Sequence, residues 1–299
     1  MILTDAITLF YTSMAGVRAH DTIVFYKRRL GCLEQLYGGQ DICTITIGQL
    51  RQWRQGLSNR STRWGAGSSH PQEEGGLSTA TLHQYIRAVR RLFRWLWLEG
   101  YLPVNTAHRL ELPRLPRQIR RGISKADRDR IIMAARSNPR DYAMVLFLAD
   151  TGCRLAGAVG LTLDRLDISN GQAFVTEKYG DERIVFFTRI TAEALQCWLD
   201  VRQANHRYVF TNTHTHAPLG RSGIYMILKR TAMAAGVRDG WNPHNWRHGA
   251  LRGMLSNGLS LPEVAWIAGH RSVYTTGNLY GTFSENELKS RHKSTSWLN

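Results

Sequence analysis

Lysine is scarce in this chain: only six of the 39 Lys and Arg residues are Lys. Cysteine is scarce too, and Cys32, Cys43, Cys153 and Cys197 form no CxxC pair. That spacing signals neither a disulfide framework nor a zinc ribbon and makes a reducing compartment the expected setting. No apolar run approaches the roughly 20 residues that span a bilayer, and the N-terminus lacks a basic region followed by an apolar stretch and cleavage site. A protein neither exported nor embedded is expected.

What is abundant is arginine. The 299 residues carry 33 of them, and with 23 Asp and Glu the net charge is +16. Arginine makes two-pronged hydrogen bonds to phosphate and stays charged when partly buried, so this excess favours a polyanionic partner, nucleic acid first. A genomic bias towards Arg codons is the competing explanation. The length suits two ordinary domains, and 43% hydrophobic content supports packed cores in a globular protein.

Apolar periodicity predicts helices across residues 2–57, with one stripe at Ile7, Phe10, Met14 and Val17 and a second at Ile23, Phe25, Tyr26, Leu30 and Leu33. Between about Leu57 and Leu77 the pattern stops in a Gly- and Ser-rich stretch that reads as a loop. Ser78 is an N-cap for a strongly amphipathic helix whose apolar face carries Leu82, Ile86, Val89, Leu92, Phe93 and Leu96, with Gly100 as its stop. Its other face carries Arg87, Arg90, Arg91 and Arg94, a row suited to a phosphate backbone; a solvated basic face is the alternative. Pro103, Pro113 and Pro116 then mark an extended linker.

Beyond the linker, Ser124 caps a helix through Ala135, and Asp141 to Gly152 forms an apolar helix. AFVTE and RIVFFT read as two strands with KYGDE as the hairpin turn. Helices return around Ala192 to Gln203, Ser222 to Ala235, Trp246 to Asn257 and Leu261 to Gly269. Trp241, Trp246 and Trp266 read as packing residues rather than base-stacking platforms.

This second half holds the residue types needed to cleave a phosphodiester without a metal: a nucleophile, cations for the developing negative charge, and an acid for the departing hydroxyl. Arg154 stands after Thr151 and Gly152 at the mouth of a helix, positioned for an anion. Lys178 occupies the hairpin tip, where a long side chain can reach a substrate. His244 and Arg247 lie one helical turn apart, with His248 beside them. His244 and His248 share the spacing of a zinc helix, but no Glu follows His244 and no third ligand is evident; His214 and His216 sit in a turn without carboxylate or thiolate partners. Finally, IAGHRSVYTTGNLYG presents His270, a Thr pair and Tyr280, with Tyr274 as the only nearby competitor.

Taken in order, Arg154, Lys178, His244 with Arg247, His270 and Tyr280 resemble the motif set of the tyrosine recombinase or phage integrase family, over nearly the whole chain. The resemblance implies a mainly α fold with a small β-sheet: a helical, SAM-like core-binding domain over 1–112, a linker over 113–122, and an α+β catalytic domain over 123–299 ending in a tail over 281–299. It also implies that Arg154 and Arg247 clamp the scissile phosphate, Lys178 is the acid for the 5′-hydroxyl, and His244 assists proton transfer. His270 would bond the phosphate, and Tyr280 would attack to leave a 3′-phosphotyrosyl link. No cofactor or metal is implied. The partners are double-stranded DNA, a homo-tetramer on two DNA sites with exchange of the C-terminal tail, and accessory proteins, in a cytoplasmic, nucleoid-associated setting without an arm-binding domain. Type IB topoisomerase-like relaxation, or a catalytically silent architectural protein, are the alternatives.

Two positions depart from the family pattern. An acid usually lies three residues after the first arginine, where this chain has Gly157, so support for Arg154 is expected from elsewhere, with Asp150 as the candidate. The nucleophile usually lies nine residues beyond the histidine, whereas Tyr280 lies ten beyond His270.

Overall fold

A computed structural model describes residues 1–61, 74–116, 122–177, 180–203, 205–270 and 272–280, with the backbone alone at 275 and 278–280. Most of the loop expected between 57 and 77, part of the linker, Lys178 and the tail over 281–299 therefore lie outside the described residues. The chain forms two compact units, Met1–Arg117 and Gln118–Asn299.

In the first unit, α1 (Leu3–Met14), α2 (His20–Tyr37), α3 (Ile47–Ser58) and α4 (Thr79–Leu98) pack around one core. Helix α4 supplies its largest share, because Ile86, Val89, Leu92, Phe93 and Leu96 recur at helical spacing and are fully buried. Burying each such side chain contributes about 1.5–3 kcal/mol. Ser78 accepts a hydrogen bond from the Thr81 amide, and Thr46 forms a capping box with Gln49 at the start of α3. The expected stripe through Val17 is cut short: α1 ends at Met14, Gly16 turns the chain with φ 74°, and Val17 is 76% exposed.

The second unit is built around α6 (Pro139–Thr151), whose run Ala143 to Leu148 is buried on every side. Helix α5 (Lys125–Ala135), capped by Ser124, packs on it, as do α8 (Arg189–Val201) and α10 (Pro243–Ser256). Strands β1 (Leu166–Asp167), β2 (Gln172–Thr176) and β3 (Glu182–Phe186) form an antiparallel sheet in that order, with Phe174 opposite Ile184 and Thr176 opposite Glu182. β1 was not anticipated from sequence; two residues carry no readable alternation. Along β2, Ala173 and Val175 turn inward while Phe174 is 42% exposed. The remaining helices are α7 (Leu155–Val159), α9 (Arg221–Ala234), α11 (Leu261–Ala268) and α12 (Val273–Tyr280). Among the described residues, no helix is long and apolar enough to cross a membrane.

Candidate active site

Three chain reversals in the second unit bring distant segments to one point. Helix α6 ends on Gly152 in the left-handed conformation, and Arg154 follows as the N-cap of α7. Helix α11 ends on Gly269, also left-handed at φ 62°, and His270 follows. A side chain at 269 would be strained by its backbone and would meet Arg183 Cδ at 2.9 Å, so glycine is required twice over. The third reversal is the β2–β3 hairpin, at whose turn end Glu177 and Arg183 stand.

Arg247, on α10, is the hub and is 4% exposed. Its guanidinium donates to the carbonyls of Gly152 at 2.8 Å and Ala268 at 2.5 Å, the ends of α6 and α11. Helix C-termini carry partial negative charge, so these bonds compensate a buried cation and fix its plane. Nη2 also lies 3.3 Å from His270 Nε2. Because arginine only donates, Nε2 is the acceptor, and the ring proton sits on Nδ1 facing Thr276 Oγ1 at 2.8 Å. Burial, followed by the charges of Arg247, Arg154 and Arg183, lowers the His270 pKa to about 4. The imidazole is therefore neutral at neutral pH.

Asp150 does not support Arg154. Its carboxylate accepts from the Thr188 amide at 2.6 Å and from the hydroxyls of Thr188 and Thr191, both at 2.7 Å, at the start of α8. The acid that reaches Arg154 is Glu177, missed by sequence reasoning, whose side chain is 2% exposed. One signal was readable: position 177 continues the inward register of 173 and 175, and a charge on an inward face demands partners. Glu177 binds the Arg154 guanidinium and accepts from the Arg154 amide at 3.2 Å and from Arg183 Nε and Nη2 at 3.1 and 2.8 Å. Three guanidinium groups thus surround one carboxylate, and the Arg154 side chain is 39% exposed. A preorganised cationic cluster at the surface is suited to holding an anion and the charge that develops on it.

Of the residues singled out from sequence, Arg154, Arg247 and His270 fall in this cluster. His244 is exposed in the first turn of α10, one turn before Arg247, and its Nε2 lies 2.9 Å from that of buried His248. Lys178 is outside the described residues, and Tyr280 is the last residue of α12, described by its backbone. Tyr274, in the same helix, is 77% exposed. Among the described residues no three His, Cys, Asp or Glu side chains form a metal-binding group. Trp246 is buried with its indole N–H on the Trp241 carbonyl, but Trp266 is 63% exposed and stacks on Phe186 with centroids 6.3 Å apart, so it does not pack as expected.

A second candidate surface belongs to the first unit. Arg87, Arg91 and Arg94 are exposed on α4 and line an open cleft of about 780 Å³ together with Phe25, Tyr26 and Trp97. Arg90 departs from this row: it is half-buried and donates to the Leu110 carbonyl at 3.3 Å.

A mainly helical fold with a small sheet and an arginine cluster of this kind defines a class, and comparison with known proteins identifies it. The profile of the phage integrase family matches residues 122–287. The tyrosine recombinase XerC of Corynebacterium glutamicum is 29% identical over 245 residues, covering 79% of this chain and 74% of that protein. XerC of Shigella flexneri serotype 5b is 28% identical over 279 residues, 90% and 88% of the two chains. Among solved structures, the Tn1549 transposon integrase in complex with a circular intermediate DNA superposes with a TM-score of 0.78 at 15% identity, covering 99% and 100% of the chains. A lambda integrase tetramer bound to a Holliday junction gives 0.74 at 14% identity, covering 95% and 80%. The chain belongs to the phage integrase family, the tyrosine recombinases, and as such is a DNA recombinase.

Proposed function

We propose that the chain is a site-specific recombinase that exchanges DNA strands through a 3′-phosphotyrosyl intermediate at Tyr280, without metal or nucleotide. The observation that carries this reading is the bond between His270 and Thr276, which ties the cationic cluster to α12 one turn before Tyr280. Arg154 and Arg247 hold the non-bridging oxygens of the scissile phosphate, and the Tyr280 oxygen attacks phosphorus. The 5′-oxygen leaves with a proton from Lys178, while His244 assists by taking the proton that the Tyr280 hydroxyl gives up. His270 gives a further hydrogen bond. A phosphate oxygen arriving at Nε2 needs a proton there, and the Thr276 hydroxyl, able to accept or donate, lets the ring change tautomer without losing its bond.

Helix geometry supports Tyr280 despite its extra residue. Relative to Thr276, a nucleophile at the usual spacing stands at i+3 and Tyr280 stands at i+4, and both positions share a helix face. Tyr274 stands two residues from Thr276, on the opposite side. Residues 1–112 act as a core-binding domain whose Arg87, Arg91 and Arg94 track the DNA backbone, 113–122 act as a linker, and 123–299 as the catalytic domain. Four protomers on two sites, joined by exchange of the tail over 281–299, complete the assembly.

DNA enriched by repeated selection on the protein supplies the target for the test. A supercoiled plasmid carrying two copies should yield recombinant products. Relaxed topoisomers from a plasmid with no copy would favour relaxation chemistry instead, and unchanged plasmid in both cases would favour a silent architectural role.

A further inference from the structure

Glu177 is the point on which the basic side chains of the cluster converge. Oε1 takes the Arg154 amide and both Arg183 contacts and lies 3.8 Å from Arg247 Nη1, while Oε2 takes the Arg154 guanidinium. The position where the family pattern carries an acid is Gly157, and a Cβ there would stand 3.1 Å from Cβ of Val175. Val175 is fully buried on β2, so a side chain at 157 would require it to give by a few tenths of an ångström within a packed core. The next inward position on the same strand register is Glu177 itself.

We infer that Glu177 is a positioning residue that replaces the missing helix-borne acid, holding Arg154 and Arg247 in place for the scissile phosphate. The acid enters the cluster from the sheet instead of from the helix. Val175 and Gly157 are the packing consequence: the helix gives up its side chain where the strand comes closest. This inference rests on the reading of Arg154 and Arg247 as phosphate ligands. Orientation of that kind acts on the transition state more than on binding, because the cleft on α4 supplies affinity independently.

The test uses the full chain as wild type, Glu177→Gln and Glu177→Asp, with nicked target DNA that traps the covalent adduct. Single-turnover rates are measured at saturating DNA on two substrates, one with an ordinary scissile phosphate and one with a methylphosphonate there. Glu177→Gln should slow adduct formation on the phosphodiester by about 10²-fold with site affinity unchanged, the scale expected for misplacing a reacting group by an ångström. On the methylphosphonate, which lacks the anionic oxygen that the arginines hold, its rate relative to wild type should return towards one. Equal slowing on both substrates indicates a merely structural role and overturns the inference, as does a wild-type rate on the phosphodiester. Should the Gln variant fail to fold, the Asp variant decides: wild-type melting with wild-type cleavage overturns the proposal, and wild-type melting with slowed, phosphate-specific cleavage upholds it. An inactive wild type would instead defeat the recombinase reading, and this inference with it.

Discussion

Arginine is used in two ways in the two units. On α4, Arg87, Arg91 and Arg94 stand in solvent on a helix whose opposite face is the core of the first unit. In the second unit, Arg183 and Arg247 are buried or nearly so, their N–H groups committed to a carboxylate and to helix-end carbonyls. Solvated cations cost little to keep and gain by releasing counterions from DNA, so their contribution is additive and sensitive to salt. Desolvated cations require partners, and in return they are already aimed before the anion arrives. A net charge of +16 reports their sum and hides the distinction.

Substitution should break this contrast most sharply at Arg247. Arg247→Ala leaves the Gly152 and Ala268 carbonyls short of a donor and takes a neighbouring cation from buried Glu177, and should cost about 3–5 kcal/mol, read by thermal or urea unfolding. Adduct formation should fall by about 10³-fold or more. Replacing Arg87, Arg91 and Arg94 together by Ala should leave folding within about 0.5 kcal/mol per site. Its effect should be a fall of about 3 in the slope of log affinity against log salt, with the cleavage rate at saturating DNA retained. A triple variant that binds normally but cleaves slowly would erase the difference between the units.

His270 sharpens the comparison through pH. Its ordinary pKa of 6.5 falls to about 4 in the folded protein, so between those values the unfolded chain binds the proton more readily. The stability it contributes is fully present above about pH 6.5 and is lost as pH falls towards 4. NMR titration of the DNA-free protein should show the ring neutral at pH 5.5, and His270→Gln should flatten that part of the stability profile. The smallest effect is expected at Arg90→Ala, where loss of the bond to Leu110 should cost about 1 kcal/mol and change the salt slope little, in contrast to its exposed neighbours.

Much of this was legible where local rules dominate. Ser78 and Ser124 cap the helices that their side chains forecast, and the apolar face of α4 is buried as its spacing required, with Leu82 only partly so. Long-range pairing was not legible. Asp150 lies near Arg154 in sequence but bonds Thr188 and Thr191, whereas Glu177, 23 residues away, meets Arg154 because β2 passes over α7 at Gly157. Helix α12 was unreadable for another reason: the β-branched Thr pair and Gly277 are poor helix formers, and packing on α10 and α11 overrides them. The motif residues themselves were visible as types and order; the carbonyls and the hydroxyl that orient Arg247 and His270 were not.

The most direct measurement is peptide mapping of the covalent adduct formed on nicked target DNA by wild type, Tyr280→Phe and Tyr274→Phe. The expected result is a DNA-linked peptide containing Tyr280, present in wild type and Tyr274→Phe and absent from Tyr280→Phe. An adduct that persists in Tyr280→Phe would contradict the assignment of the nucleophile to the end of α12.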